Sequence, residues 1–136
     1  MANTFAFKLL SPYKSLFEGR VEAVMLPGEL GEFGVLSNHT KFATSLKPGV
    51  VRFVVDGQTT RFAIGGGFSE VHADGVVVLA DSAERPDQID LQRAEESRER
   101  ARTELRQMDP ADTDRKARLE AHLARAENRI RVAKSS

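Results

Sequence analysis

The residues with the clearest potential for binding chemistry are four arginines in the last third of the chain. Arg93 and Arg100 are seven residues apart, and Arg125 and Arg129 are four apart, so each pair lies on one face of a helix. If the two helices pack antiparallel, the four guanidinium groups converge. Such a cluster suits a polyphosphate because each guanidinium offers forked donors to pairs of oxygens. The same spacing is typical of a solvated helix face with local ion pairs, so both interpretations stay open.

The residue types that usually perform catalysis form no recognisable site. His39, His72 and His122 are scattered with no carboxylate at metal-ligand spacing, and the chain has no cysteine. The glycine-rich segment 28–34 is followed by strand-like residues, whereas a dinucleotide loop needs a helix N-terminus there. The three glycines 65–67 indicate a bulge or a close backbone approach. The sequence therefore predicts neither an active site nor a metal site.

Charge and hydropathy exclude two further classes of protein. Among 136 residues, 20 basic side chains balance 20 acidic ones, and this balance argues against a general nucleic-acid binder. No apolar run approaches the length of about 18 residues that indicates a transmembrane helix. The first residues lack a basic segment followed by a long apolar run, so we expect no secretory signal and no direct membrane insertion.

The composition divides the chain in two. All 10 glycines and all 8 phenylalanines precede residue 76, and after Pro86 there is neither glycine nor an aromatic residue. The later segment is dense in charge. We therefore predict one domain over 1–86 and a second over 87–136.

The first segment has the pattern of an antiparallel β-sandwich. Asp56-Gly57 and Asp74-Gly75 separate apolar runs and suit two-residue hairpin turns, because glycine accepts positive φ. No helical pattern lies between the runs, which argues against parallel βαβ units. The predicted strands are Phe5–Leu10, Val21–Leu26, Val50–Val55, Arg61–Ile64, Phe68–His72 and Val76–Ala80.

The second segment has the pattern of an antiparallel two-helix hairpin. It is rich in Ala, Glu, Arg, Leu and Gln, which favour helices. Pro110 interrupts the pattern and is expected to open the second helix. Steps of three and four connect the seam on each side of this break, if Arg98 is counted as a seam position between Ala94 and Ala101. The apolar members are Leu91, Ala94, Ala101, Leu105 and Met108, then Leu119, Leu123, Ala126, Ile130 and Ala133. This stripe is thin and four of its ten apolar residues are alanine, so we expect the hairpin to dock on its own sandwich or on a partner.

Several motifs in a specific order resemble the epsilon subunit family of F-type ATP synthases, over essentially the whole chain. They are Leu26-Pro27-Gly28-Glu29-Leu30-Gly31-Glu32-Phe33-Gly34-Val35-Leu36, then His39, Leu46-Lys47-Pro48-Gly49, Ala63-Ile64-Gly65-Gly66-Gly67-Phe68-Ser69-Glu70-Val71 and Val78-Leu79-Ala80-Asp81. The family fold is a β-sandwich followed by a two-helix domain, in agreement with the division drawn from composition.

The resemblance implies a non-catalytic rotor subunit. Its sandwich would bind the gamma subunit and the membrane ring of c subunits and help to transmit torque. Glu32 matches the family position that faces the polar loops of the c-ring. His39 matches the histidine of the same loop region, for which a structural or rotor-facing role is expected.

The resemblance also implies a regulatory hairpin. In this family the hairpin lies folded or extends along gamma into the alpha/beta catalytic head, where it opposes ATP hydrolysis, and some bacterial members bind ATP in the folded form. Their motif stands here as Ile89-Asp90-Leu91-Gln92-Arg93-Ala94, with accessory positions at Glu84, Arg100, Arg125 and Arg129. The arginines would contact the phosphates, and Asp90 and Glu84 would accept hydrogen bonds from the base or ribose. No cofactor is required, and ATP is a possible regulator.

Two other functions remain as alternatives. A free-standing ATP-sensing module predicts tight ATP binding and no affinity for a gamma subunit. A small hydrolase on a β-sandwich predicts a metal or triad constellation, which the sequence lacks. For the rotor subunit we expect a peripheral position on the cytoplasmic face of a bacterial plasma membrane, or alternatively on the stromal face of a thylakoid.

Overall fold

The computed structural model describes residues 3–37 and 41–135. The chain divides into two compact units, Met1–Arg85 and Pro86–Ser136, and each is described separately. The predicted fold class, a β-sandwich followed by a helical hairpin, is confirmed.

The first unit has eight strands within residues 3–37 and 41–85. In the sheet they follow the order β2-β1-β7-β6-β5-β3-β4, with β8 paired to β6. All pairs are antiparallel except β1 with β7, which are parallel neighbours. The bounds are β1 Phe5–Leu10, β2 Ser15–Val21, β3 Ala23–Gly28, β4 Gly31–Val35, β5 Phe42–Val55, β6 Gln58–His72, β7 Gly75–Ala80 and β8 Ala83–Glu84.

Two long strands, β5 and β6, connect the two layers of the sandwich. The second half of β6 pairs with β7, and the second half of β5 pairs mainly with β3. Between these halves β5 and β6 keep the same register, with Leu46 opposite Gly67 and Pro48 opposite Gly65. Gly67 has φ +155°, and a Cβ there would overlap the carbonyl oxygen of Leu79. The glycine triplet therefore permits a close backbone approach, so that two predicted strands form one continuous β6.

The core of the sandwich is aromatic at its centre. Phe53 on β5 contacts Phe7 on β1 with ring centroids 5.1 Å apart and Phe17 on β2 at 4.5 Å. Phe7 and Phe53 are fully buried. Alternate residues of β1 point inward, because successive side chains of a strand face opposite sides of the sheet. The buried core cluster lies between residues 5 and 80, within the first unit.

Tight turns connect β5 to β6 and β6 to β7. Asp56 (φ 51°) and Gly57 (φ 77°) both have positive φ, as the predicted two-residue hairpin turn requires. The second turn differs from its prediction by one residue, since Gly75 is already paired with His72 and the turn is formed by 73–74. Gly75 is instead needed for packing, because a Cβ there would lie 2.8 Å from the carbonyl oxygen of Ala6.

The second unit is a helical hairpin preceded by one 3-10 turn, Pro86–Gln88. Helix α1 spans Leu91–Gln107 and helix α2 spans Thr113–Ser135. The expectation that Pro110 opens the second helix is wrong. The backbone N–H of Ala111 donates to Asp109, and that of Arg115 donates to the Asp112 carboxylate, so the turn is closed by two aspartates before α2 begins.

Three of the six buried positions among the described residues of the hairpin are alanine. Ala94 and Ala101 are buried on α1, and α2 buries Ala126 and Ile130 from the predicted stripe. The leucines of the stripe on α2 are only half-buried. Helix α2 also buries Asn128 and Val132, which lie off that stripe.

Candidate functional site

The start of α1 is fixed by Asp90. Its Oδ1 accepts a hydrogen bond from the backbone N–H of Arg93 at 3.1 Å, and its backbone is extended (φ −82°, ψ 98°) as expected for an N-cap residue. Ala94, four residues on, is fully buried. Asp90 therefore fixes the point at which α1 begins, at Leu91, through one of its two carboxylate oxygens.

A cavity opens between the two helices, on the side towards their connecting turn. Its volume is about 560 Å³, within the range of 300–1,000 Å³ that small-molecule sites occupy. We call it the hairpin cavity. Its lining residues are Arg100, Ala101, Glu104, Arg115, Arg118, Leu119, Ala121, His122 and Arg125.

The hairpin cavity is strongly cationic. Four arginines line it and Glu104 is the one acidic side chain in that lining. Within residues 3–37 and 41–135, none of these four guanidinium groups takes part in an ion pair. By contrast Arg102, outside the cavity, is paired with Glu99 at 3.3 Å and with Glu127 at 3.5 Å. The cavity thus concentrates positive charge that its own carboxylates do not neutralise.

One hydrogen bond joins the two helices beside this cavity. The Oγ of Ser97 on α1 lies 2.9 Å from the Nε2 of His122 on α2. Which atom donates depends on the imidazole tautomer. The bond joins α1 to α2 beside the cavity that Arg100 and Arg125 line.

The structure brings together some of the predicted ATP ligands. Arg100 and Arg125 line the hairpin cavity, whereas Arg93 and Arg129 are not among its lining residues. Ile89 is half-buried and Ala94 buried beside the Asp90 cap. Glu84 lies in the first unit, on β8, where it pairs with Ala63 on β6.

Sequence reasoning missed Arg115, Arg118 and His122 as members of the cavity. On α2 they form one stripe with two of the predicted arginines, at steps of three, four, three and four: Arg115, Arg118, His122, Arg125 and Arg129. The signal was therefore present in the sequence. It was hidden because arginines are also the residues expected on a solvated helix face.

The predicted ring-facing residue Glu32 lies on β4, opposite Pro27 on β3. Its Oε1 accepts a hydrogen bond from Nη2 of Arg52 at 2.7 Å, and both side chains are partly exposed. Sequence reasoning did not identify Arg52 as its partner, since the two are 20 residues apart. His39, the other predicted rotor contact, lies outside the described residues.

Within residues 3–37 and 41–135, no helix is both long and apolar enough to cross a membrane. No group of three His, Asp or Glu side chains there is arranged so that it could hold a metal ion.

Comparison with known families gives two consecutive matches. Residues 4–86 match the family model described as ATP synthase, Delta/Epsilon chain, beta-sandwich domain. Residues 87–134 match the one described as ATP synthase, Delta/Epsilon chain, long alpha-helix domain.

Curated proteins similar to the chain carry the name ATP synthase epsilon chain. The one from Desulfitobacterium hafniense (strain DSM 10664 / DCB-2) is 39% identical over 135 residues, covering 99% of this chain and 100% of the relative. The one from Geobacter sulfurreducens is 41% identical over 133 residues, covering 98% and 96%.

Solved structures share the fold. A chain of the Euglena gracilis mitochondrial ATP synthase (OSCP/F1/c-ring) superposes with a TM-score of 0.79 at 23% identity, covering 92% of this chain and 78% of that one. A chain of the Tetrahymena thermophila mitochondrial ATP synthase central stalk and c-ring gives a TM-score of 0.61 at 11% identity, covering 98% and 96%.

Proposed function

The chain belongs to the ATP synthase delta/epsilon chain family, and from this premise we propose that it is a non-catalytic central-stalk subunit of a proton-translocating F-type ATP synthase. The observation that carries the proposal is the match of both units, in order, to the two domains of that family. The subunit performs no bond chemistry. It couples the c-ring to the gamma subunit during rotation.

The sandwich is the docking unit for gamma and for the c-ring. The turn between β3 and β4 presents a fully exposed Leu30 two residues before Glu32. An apolar contact next to a partly exposed carboxylate suits the polar loops of a membrane ring. The ion pair with Arg52 holds the Glu32 carboxylate at this edge, while its second oxygen stays available to a partner. His39 is proposed as a further rotor-facing residue.

A charge reversal tests this docking surface. Glu32→Arg should reduce retention of the subunit on membranes that contain the c-ring. Glu18→Arg is the matched control, because Glu18 is likewise an exposed strand carboxylate paired with a cation, Lys8 at 3.6 Å. Equal retention of the Glu32 variant and the wild type would contradict the assignment.

The hairpin is the regulatory unit. Its two helices bury few apolar side chains apart from alanines, and alanine burial contributes little free energy. A weakly held hairpin can exchange between a folded form and an extended form that reaches the alpha/beta catalytic head and opposes ATP hydrolysis. The proposed inhibition of ATP hydrolysis relies on this exchange, which a thin helix–helix seam permits.

ATP is the proposed ligand of the folded hairpin. Arg100 and Arg125 line one cationic cavity, and Arg93 and Asp90 lie at the start of α1. Arg129 and Glu84 complete the proposed set. ATP that binds only the folded form shifts the population by RT ln(1 + [ATP]/Kd), about 2.7 kcal/mol at a hundredfold excess over Kd. We place the assembled subunit peripherally, on the cytoplasmic face of a bacterial plasma membrane.

An add-back assay tests whether the sandwich docks the subunit and the hairpin slows ATP hydrolysis. The catalytic head complex lacking this subunit would receive either the full chain or residues 1–86, with binding checked by gel filtration. The shorter chain is a reasonable reagent because the buried core cluster lies within the first unit. Binding of both, with slower ATP hydrolysis only for the full chain, supports the proposal. Binding of neither would contradict the stalk assignment and favour a free-standing ATP-sensing module.

A further inference from the structure

We propose that one outer face of the sandwich carries a docking groove for an acidic segment of a protein partner, in which Arg61 binds a carboxylate of that segment. The groove has a volume of about 230 Å³ and lies across three strands, so we call it the β3–β5–β6 groove. Its lining residues are Ala23, Met25, Arg52, Val54, Thr59 and Arg61. The inference rests on the geometry of the first unit and does not depend on the stalk assignment.

Strand pairing sets two rows of side chains next to each other in the groove. Phe53 points into the core, so its neighbours Arg52 and Val54 point to the outer face of the sheet. The register then places them in two cross-strand rows, Ala23–Val54–Thr59 and Met25–Arg52–Arg61. The first row is apolar except for Thr59, and the second ends in two guanidinium groups. The groove therefore offers an apolar surface directly beside positive charge.

The second row carries one positive charge in excess. Arg52 and Arg61 are directly opposite each other on β5 and β6, and like charges in that position destabilise a strand pair. Glu32 neutralises only Arg52, through the contact of 2.7 Å between its Oε1 and Nη2. Within residues 3–37 and 41–135, the exposed Arg61 takes part in no ion pair and no side-chain hydrogen bond. An added carboxylate at Arg61 would relieve the repulsion between the two arginines.

The chemistry of the groove favours an acidic peptide segment as its occupant. A guanidinium offers forked donors that match the two oxygens of a carboxylate. The apolar row beside it can cover an apolar neighbour of that acidic residue, and the flexible thioether of Met25 adapts to its shape. A free inorganic anion would gain only the charge contact. The volume lies below the range of about 300–1,000 Å³ that small-molecule sites occupy, so one or two side chains fill it.

The test titrates the full chain with a blocked five-residue peptide that has one glutamate between two leucines. The side-chain Nε–Hε resonances of Arg52 and Arg61 report binding in the groove. We expect a dissociation constant on the order of 1–10 mM, the strength of a few contacts to a short peptide. The same peptide with glutamine in place of glutamate should bind at least about fivefold more weakly, because it lacks the charge that Arg61 pairs with.

Substitutions at Arg61 identify the residue that recognises the carboxylate. Arg61→Gln should weaken binding of the glutamate peptide about tenfold and remove the difference between the two peptides. Arg61→Lys should retain part of the difference, because lysine keeps the charge without the fork. Arg20→Gln is the matched control, since Arg20 is an exposed strand arginine that donates to Thr4 and does not line the groove. Removal of one of two opposed like charges leaves the β5–β6 pair at least as stable, which circular dichroism of Arg61→Gln checks.

The outcomes separate the proposed occupant from others. A shift at Arg61 that requires the glutamate and is lost in Arg61→Gln supports the inference. Equal binding of the two peptides, unchanged binding by Arg61→Gln, or no binding up to about 10 mM overturns it. Hairpin amide resonances that move in Arg61→Gln without peptide would make the hairpin of the same chain the occupant. A dimer in sedimentation that Arg61→Gln dissociates would make a second copy the occupant, and either result overturns the assignment to a partner.

Discussion

Removal of the Asp90 carboxylate should loosen the start of α1. The side chain accepts from the Arg93 backbone N–H at 3.1 Å, and the Asp90 carbonyl accepts from the Ala94 N–H at 3.0 Å. Asp90→Ala deletes the first bond and leaves one N–H of the first turn without its partner. Asp90→Asn keeps an acceptor in the same place.

The size of the effect follows from this geometry. Loss of an N-cap acceptor costs about 1 kcal/mol, with a usual range of about 0.5–2 kcal/mol. Asparagine is as good an N-cap residue as aspartate, so Asp90→Asn should stay within about 0.5 kcal/mol of the wild type. A difference of about 1 kcal/mol corresponds to about a fivefold change in a local opening equilibrium.

Amide hydrogen exchange of the full chain measures this directly. The Arg93 amide should exchange about fivefold faster in Asp90→Ala and nearly unchanged in Asp90→Asn. Equal acceleration in both variants, or in neither, would refute the cap. ATP titration of Asp90→Asn then isolates any contact of the second carboxylate oxygen with the ligand, because the helix start is preserved.

Four further substitutions, one of them a matched control, test other parts of the account by denaturant unfolding. Gly67→Ala should cost at least about 2 kcal/mol of unfolding free energy, because the added Cβ has no space and the φ of Gly67 is +155°. The matched control Gly57→Ala, with φ +77° and no atom within 4 Å of the added Cβ, should cost about 1 kcal/mol. Equal costs would contradict the close approach of β6 to β7. Phe53→Ala should cost about 3–5 kcal/mol, since it empties the aromatic centre of the core, and a loss below about 1 kcal/mol would show that the core closes differently. Glu32→Gln should change stability by less than about 1 kcal/mol, because its ion pair with Arg52 is partly solvated; a larger loss would make the pair structural.

Sequence patterns predicted the fold class because the two units differ so clearly in composition. Glycine and phenylalanine mark the sandwich, and alanine, glutamate and arginine mark the hairpin. The extents of β5 and β6 were not predictable in the same way. The glycines at 65–67 interrupt the apolar pattern of β6, but the β5–β6 register is the same on both sides of them, with Gly67 opposite Leu46 and Gly65 opposite Pro48. Gly67 is needed for close packing against Leu79.

The parallel pairing of β1 with β7 could not be predicted from local sequence patterns. These strands are about 65 residues apart in the chain, and only the closure of the whole sandwich makes them neighbours. Asn128 was missed for another reason. A hydropathy stripe cannot include a polar residue, yet Asn128 is buried and accepts a hydrogen bond from Arg131 at 3.4 Å.

The candidate site was predictable only in part. The spacing of Arg100 and Arg125 predicted faces that the structure places in one cavity. Arg115 and Arg118 line the same cavity because of how the two helices pack against each other, which the pattern of a single helix does not reveal.

Proton-driven ATP synthesis tests the central claim most directly. Membranes stripped of this subunit would be supplied with the full chain or left without it, and ATP synthesis would be measured under an imposed proton gradient, with binding of the chain to the gamma subunit followed in parallel. A stalk subunit should bind gamma and restore synthesis. A chain that neither binds gamma nor restores synthesis would contradict the account.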